Sequence, residues 1–267
     1  MTETTEAARG GARALVGAPP LPSFGAAFAA HARLAVVRTR RGAKLKLALA
    51  AIIPITALVI AAANYVDDPQ GAFRGGVLGG LFTVLAYLLP FLFGAGAIGE
   101  EVTGRTVGYL LARPSSRLSL VLARWSVATA FSAGALALTV LVMHLGVYAT
   151  SPAGLVDHPG EAARAAGSLT LLAAAYSALT LFFGAAFPRT AGLAGGLYLA
   201  CVEFVVAHMP FSFPLLALNH HARNLSGIDP GLDPTVPTSV SLAVLLACVA
   251  LWLGLAVVAV VPREFEH

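Results

Sequence analysis

EEVTGRTVGYLLARPSSR, residues Glu100–Arg117, is a polar, charged stretch set between two apolar runs, 75–98 and 125–149, that contain no Asp, Glu, Lys or Arg. In a soluble domain such a stretch is a surface loop. Between two membrane spans it is an element at the level of the lipid headgroups. Composition decides between these readings. The chain is 58% hydrophobic and 11% charged, with mean hydropathy +0.81, whereas soluble domains are about half apolar and about a quarter charged. No single globular core accounts for that excess, so the chain is read as a membrane protein.

Working outward from Glu100–Arg117, six segments are long enough to span a bilayer, which takes about 20 apolar residues each: 47–64, 75–98, 125–149, 168–187, 191–209 and 239–261. Pro54 and Pro90 fall inside the first two; membrane helices tolerate proline where neighbours satisfy the freed backbone groups. Pro188, Arg189 and Thr190 alone separate the fourth and fifth spans, which makes that pair a tight hairpin.

Arginine and lysine placement sets the orientation. Arg33, Arg38, Arg40, Arg41, Lys44 and Lys46 precede span one, and Arg105, Arg113, Arg117 and Arg124 lie between spans two and three. Arg189 follows span four and Arg263 follows span six. The opposite side carries Arg74, Arg164 and Arg223 and is rich in acids: Asp67, Asp68, Asp157, Glu161, Asp229 and Asp233. Both termini and the 100–117 stretch are therefore placed in the cytoplasm.

The N-terminus has its acids first and no apolar run of signal-peptide length; residues 1–20 read as a cytoplasmic tail, and 21–267 as a single transmembrane domain. LPSFGAAFAAHARLAVVRTRRGAKLK, residues 21–46, has Phe24 and Phe28 one turn apart and a basic end. It reads as an interfacial helix on the inner leaflet or as a helical extension of span one. The loop 210–238 is proline-rich and partly apolar; its PFSFPLLAL portion is too short to span and reads as a re-entrant piece buried against protein.

Within 100–117, two adjacent carboxylates follow span two, GRTVGYLLA offers a short helix, and Pro114 stops it. Ser115 or Ser116 can then cap the next helix, which carries Leu118, Leu120 and Leu122 toward span three. At these residues the chain resembles the permease subunits of type-2 ABC (ABC-2 type) transporters. Their pattern reads roughly Glu-x-x-x-Gly-Thr, then Leu-Leu-Ala-x-Pro-Val-Ser-Arg; Glu101, Thr106, Leu110, Leu111, Ala112, Pro114, Ser116 and Arg117 match it. Arg105 stands in place of the glycine and Ser115 in place of the valine.

The resemblance implies an all-α membrane fold: an N-terminal interfacial helix, six transmembrane helices, a cytoplasmic coupling helix after span two and a re-entrant segment before span six. It implies residence in a bacterial inner membrane and export driven by a separate ATP-binding subunit, present in two copies and carrying ATP and Mg. Six spans are half of such a transporter, which implies a second permease subunit, identical or different. Glu100, Glu101, Arg113 and Arg117 are then expected to fix the coupling helix, and Leu110 and Leu111 to fill a groove on the ATPase. The chain itself has no Gly-x-x-x-x-Gly-Lys-Ser/Thr loop to cradle phosphates, so no cofactor, catalytic residue or nucleic-acid partner is expected. Gly75 with Gly79, or Gly76 with Gly80, follow the small-xxx-small packing pattern of membrane helices.

Two other readings are open. Glu100-Glu101-x-x-x-Arg105, Phe204-x-x-x-His208 and His220-x-x-x-Asn224 resemble the motifs of CAAX-processing intramembrane proteases. The assigned topology opposes this, because a core of about 30 Å separates the glutamates from the histidines and acid–base partners must come within about 3 Å of the reacting groups. A non-catalytic assembly or immunity protein is the third reading. Inside the membrane, Glu203 either faces a substrate pathway or is hydrogen-bonded to Tyr198 or a neighbouring helix. His144, His208, His220 and His221, and Cys201 and Cys248, read as interfacial and packing residues rather than metal ligands or a disulfide.

Overall fold

The computed structural model of the chain describes residues 22–66, 68–97, 116–149, 152–206, 212–232 and 236–260. These form helices, with no strand among the described residues. In chain order they are α1 (Phe24–Arg41), α2 (Ala43–Ala63), α3 (Pro69–Gly94), α4 (Arg117–Val147), α5 (Pro152–Asp157), α6 (Pro159–Ala186), α7 (Ala191–Val205), α8 (Leu218–Ser226) and α9 (Thr238–Val260). A single 3₁₀ turn, Phe213–Leu216, precedes α8.

Five of them, α2, α3, α4, α6 and α9, are long and apolar enough to cross a membrane. The segment expected as the fifth span, 191–209, is shorter over its described part, 15 residues from Ala191 to Val205; residues 207–211 lie outside the described set. Four helices start several residues earlier than their apolar stretches suggested: α2 at Ala43, α3 at Pro69, α4 at Arg117 and α6 at Pro159. Helical hydrogen bonding continues through polar residues, whereas span-finding by hydropathy stops at them. The segment after Ser116 and span three are thus one continuous helix.

The bundle is organised around α6, whose apolar window is 67% buried against 11% for α2 and 17% for α9. It packs on α3, α4, α7, α8 and α9, and Leu169, Leu172, Tyr176 and Leu179 are wholly enclosed. Lipid is as apolar as these side chains, so close packing and interhelical hydrogen bonds hold such a bundle together. Trp125 Nε1 donates to the Ala174 carbonyl at 3.0 Å, tying α4 to α6. Thr180 Oγ1 donates to the Pro90 carbonyl at 3.2 Å, tying α6 to α3 beside the proline.

The 21–46 region is not a helical extension of span one. Gly42 is extended (φ −79°, ψ 164°) and separates α1 from α2. Ser23 caps α1 by accepting from the Ala26 amide, and Arg38, Arg40 and Arg41 occupy its last turn, where cations favour the helix dipole. Ala27, His31 and Ala35 form its buried stripe, and it packs on α4.

The two glycine pairs of α3 have different uses. A Cβ on Gly76 would fall 2.4 Å from Val59 Cγ1, and one on Gly80 would fall 2.7 Å from Ile55 Cγ2, whereas Gly75 and Gly79 face open space. Gly76 and Gly80 therefore let α2 and α3 approach closely. Val59 is β-branched and stiff, so Gly76→Ala is expected to cost about 1–3 kcal/mol through overpacking, while Gly75→Ala is neutral or slightly stabilising. Denaturation of the purified protein in detergent measures the difference, and equal effects of the two substitutions would contradict the packing described.

Candidate functional site

At the end of the bundle where α4 begins, Ser116, one of the two serines expected there, takes the N-cap position. Its hydroxyl accepts from the Ser119 amide at 3.2 Å, and Ser119 Oγ donates back to the Ser116 carbonyl at 2.6 Å. α4 has 31 residues, about 46 Å at 1.5 Å per residue. That exceeds a hydrocarbon core of about 30 Å, and the charges of α4, Arg117 and Arg124, both fall in its opening turns. Leu120 is buried there and Leu118 is exposed.

Beside those turns lies a cavity of about 280 Å³ where the end of α1, the start of α2, the end of α3 and α4 meet. Arg38, Lys44 and Arg124 line it, together with Gly42, Gly96 and Ala97. Arg124 is only 3% exposed. His31 lies close by; burial, then the charge of Arg124, holds its imidazole below the ordinary histidine range. Ala97 lines this cavity and is the last described residue before the 98–115 stretch. Glu100, Glu101, Thr106, Leu110, Leu111, Arg113 and Pro114 lie outside the described residues; of the expected coupling set, Ser116 and Arg117 lie within them.

Glu203 is buried, 1% exposed, in a π-helical turn that ends α7. Its two carboxylate oxygens accept from the Leu218 amide at 3.0 Å and the Asn219 amide at 3.2 Å. These are amides of the first turn of α8, which has Ala217 at its N-cap and no side-chain cap of its own. Glu203 thus supplies from another helix the acceptor that Ser, Thr, Asp or Asn usually supplies locally. The hydrogen bonds expected of it are made with a neighbouring helix and not with Tyr198. Both oxygens are engaged by backbone amides, so the geometry gives Glu203 a structural task. The sequence signal that could have found it is the pairing of an orphan carboxylate in an apolar run with a polar helix that lacks a cap.

The segment before α9 also differs in detail from the expectation. Phe213, Leu215 and Leu216 are exposed, so within PFSFPLLAL burial against protein is confined, among the described residues, to Ala217 and Leu218 at its end; it continues through α8, which also buries Asn219, His221, Ala222 and Ser226. Asn224 Nδ2 donates to the Val236 carbonyl and to Ser241 Oγ, both at 2.9 Å. His221 Nδ1 lies 3.1 Å from Ser241 Oγ, and its Nε2 lies 2.9 Å from the Leu215 carbonyl. A neutral imidazole with Nε2 donating to the carbonyl and Nδ1 accepting from the serine satisfies both contacts. Burial and the nearby His221 and Arg223 push the His220 imidazole down.

The three arginines assigned to the opposite side are all engaged. Arg74 grips Glu161 through Nε at 3.2 Å and Nη2 at 2.5 Å, and Gln70 donates to the same carboxylate at 2.7 Å. Arg164 Nε donates to the Ser226 carbonyl at the end of α8, and Arg223 pairs with Asp229 at 2.5 Å. Among the described residues no three His, Cys, Asp or Glu side chains gather as a metal site; Cys201 and Cys248 are free thiols.

These features define a class: an all-helical, multi-pass membrane protein with a basic cavity at one end and a buried carboxylate holding a short helix in its body. No family model matches the chain, and no curated protein is significantly similar to it.

Proposed function

We propose that the chain is the membrane-spanning permease subunit of an ATP-binding cassette exporter, moved by a separate ATPase subunit that docks on residues 100–117. The observation that carries this reading is the Leu110-Leu111-Ala112-x-Pro114-x-Ser116-Arg117 match at a junction between two apolar helices. Two features support it. Ala97, the last described residue before the junction, lines the same cavity as Arg38, Lys44 and Arg124, at the basic end that the charge rule puts in the cytoplasm, where ATP is available. Ser116 starts a stiff helix continuous with a span, so a push on the junction would be transmitted into the membrane.

The complete assembly in this reading has two such permease subunits, identical or different, and two ATPase subunits that bind ATP and Mg. The membrane is a bacterial inner membrane with both termini of the chain inside. The protease reading gains nothing from Asn224, which donates to Val236 and Ser241 and so ties α8 to α9. The test is a search of the neighbouring reading frames for an ATP-binding subunit and co-expression of the chain with it; no such subunit nearby counts against the proposal. A stable complex whose ATP hydrolysis depends on the permease supports the proposal; an ATPase that neither binds nor responds to the chain sinks it.

A further inference from the structure

Near the far end of α4 from Arg117, a groove of about 380 Å³ runs between α4 and α6, closed at one end by Leu155 and Pro159. Its walls are apolar, with Val140, Leu141 and Leu145 on one side and Ala163 and Ala166 on the other. The exception is His144, 6% exposed, which lines the same groove. Its ring packs edge-on against Phe73 at 5.4 Å and Tyr148 at 5.0 Å. Its Nδ1 has no hydrogen-bond partner, and neither has the buried Tyr148 hydroxyl.

A polar group buried without a partner costs about 1–3 kcal/mol, so an imidazole at the edge of an apolar groove favours an occupant that brings one polar atom. A trapped water fits poorly, since it needs two to four polar neighbours and the wall offers one side chain. The surroundings supply a better candidate. Leu138, Leu141 and Leu145 are half or more exposed on the same span, which places lipid directly against the groove. His144 lies three residues from the end of α4, about 5 Å along the axis. It also lies 20 residues from Arg124, about 30 Å, the thickness of the hydrocarbon core, so with Arg124 at one boundary His144 sits at the other, where acyl chains meet their ester groups. The groove volume is within the range of small-ligand sites, about 300–1,000 Å³.

We infer that this groove is a binding site for a diacyl glycerophospholipid, with one acyl chain lying between α4 and α6 and an ester oxygen accepting a hydrogen bond from His144. The site recognises the ester and the chain, and its walls carry no charge to select a headgroup. It does not depend on the transport reading.

The test uses the full chain reconstituted in phosphatidylcholine vesicles containing a phosphatidylcholine analogue with a photoactivatable diazirine on one acyl chain, and maps cross-linked peptides by mass spectrometry. Residues 137–166 should label at least fivefold more than the lipid-facing part of α2, where Leu47, Ile53 and Leu58 are exposed. Ala163 is exposed at the groove, so Ala163→Trp fills it without disturbing the core and should bring labelling down to the level of α2. His144→Leu should lower groove labelling severalfold, and His144→Gln, which keeps a donor, should restore most of it. Equal labelling of groove and α2, groove labelling that survives Ala163→Trp, or labelling indifferent to His144→Leu would overturn the site and leave ordinary surrounding lipid only.

Discussion

Glu203→Ala is expected to destabilise the protein by about 3–5 kcal/mol, because it removes the acceptor of two hydrogen bonds to a buried carboxylate, each worth about 1.5–3 kcal/mol. The loss is local in origin. The Leu218 and Asn219 amides lose their acceptor, and α8 has no cap to fall back on. Glu203→Gln keeps one acceptor oxygen but turns an amide donor toward the other backbone N–H, so an intermediate loss of about 2 kcal/mol is expected. Unfolding in detergent gives the totals, and hydrogen exchange at Leu218–Ser226 should rise well before exchange in α6. The same pair of substitutions separates a structural role from a substrate-reading one. Transport lost in Glu203→Gln with stability and α8 exchange unchanged would mean that the carboxylate faces the cargo instead.

Leu110→Asp with Leu111→Asp is the second substitution of large expected effect, and it follows from the proposed docking role. Burying each leucine in a groove on the ATPase contributes about 1.5–3 kcal/mol, so losing both weakens docking by at least about a hundredfold, at 1.4 kcal/mol per factor of ten. ATP hydrolysis should no longer respond to the permease, and export should fall to background. Expression and membrane insertion should be normal, because the 100–117 stretch is already polar. Undiminished co-purification and transport would remove Leu110 and Leu111 from the interface.

Much of this architecture was legible from local patterns. Apolar runs of about 20 residues announce spans directly, and all five long helices lie where such runs stand. A serine cap is legible at Ser115 or Ser116 because capping is a short-range rule, and the structure gives it to Ser116. Gly42 ends α1 within the basic cluster, between Arg41 and Lys44, and residues 21–46 alone leave two arrangements open. What the sequence concealed depends on chain positions far apart. Glu203 caps a helix that begins 15 residues later. Arg74 and Glu161, 87 positions apart, meet across two helix ends. Gly76, unlike Gly75, faces Val59, and only the rotation of α3 about its axis decides which of the two does. Phe213, Leu215 and Leu216 of the apolar PFSFPLLAL stay exposed, whereas burial starts at Ala217 and runs on into the polar α8, whose His221 and Asn224 find partners on neighbouring segments.

The proposed coupling requires the junction from residue 100 to residue 117 to lie on the cytoplasmic side, where an ATPase can reach it. The most direct measurement is cysteine labelling in intact cells. It uses a chain with Cys201 and Cys248 replaced, a single Ser115→Cys, and a membrane-impermeant maleimide, with Asp157→Cys as the opposite-side control. Asp157→Cys should label from outside, and Ser115→Cys should label only after the membrane is opened. Labelling of Ser115→Cys in sealed cells would invert the topology and contradict the proposed coupling to an ATP-driven motor.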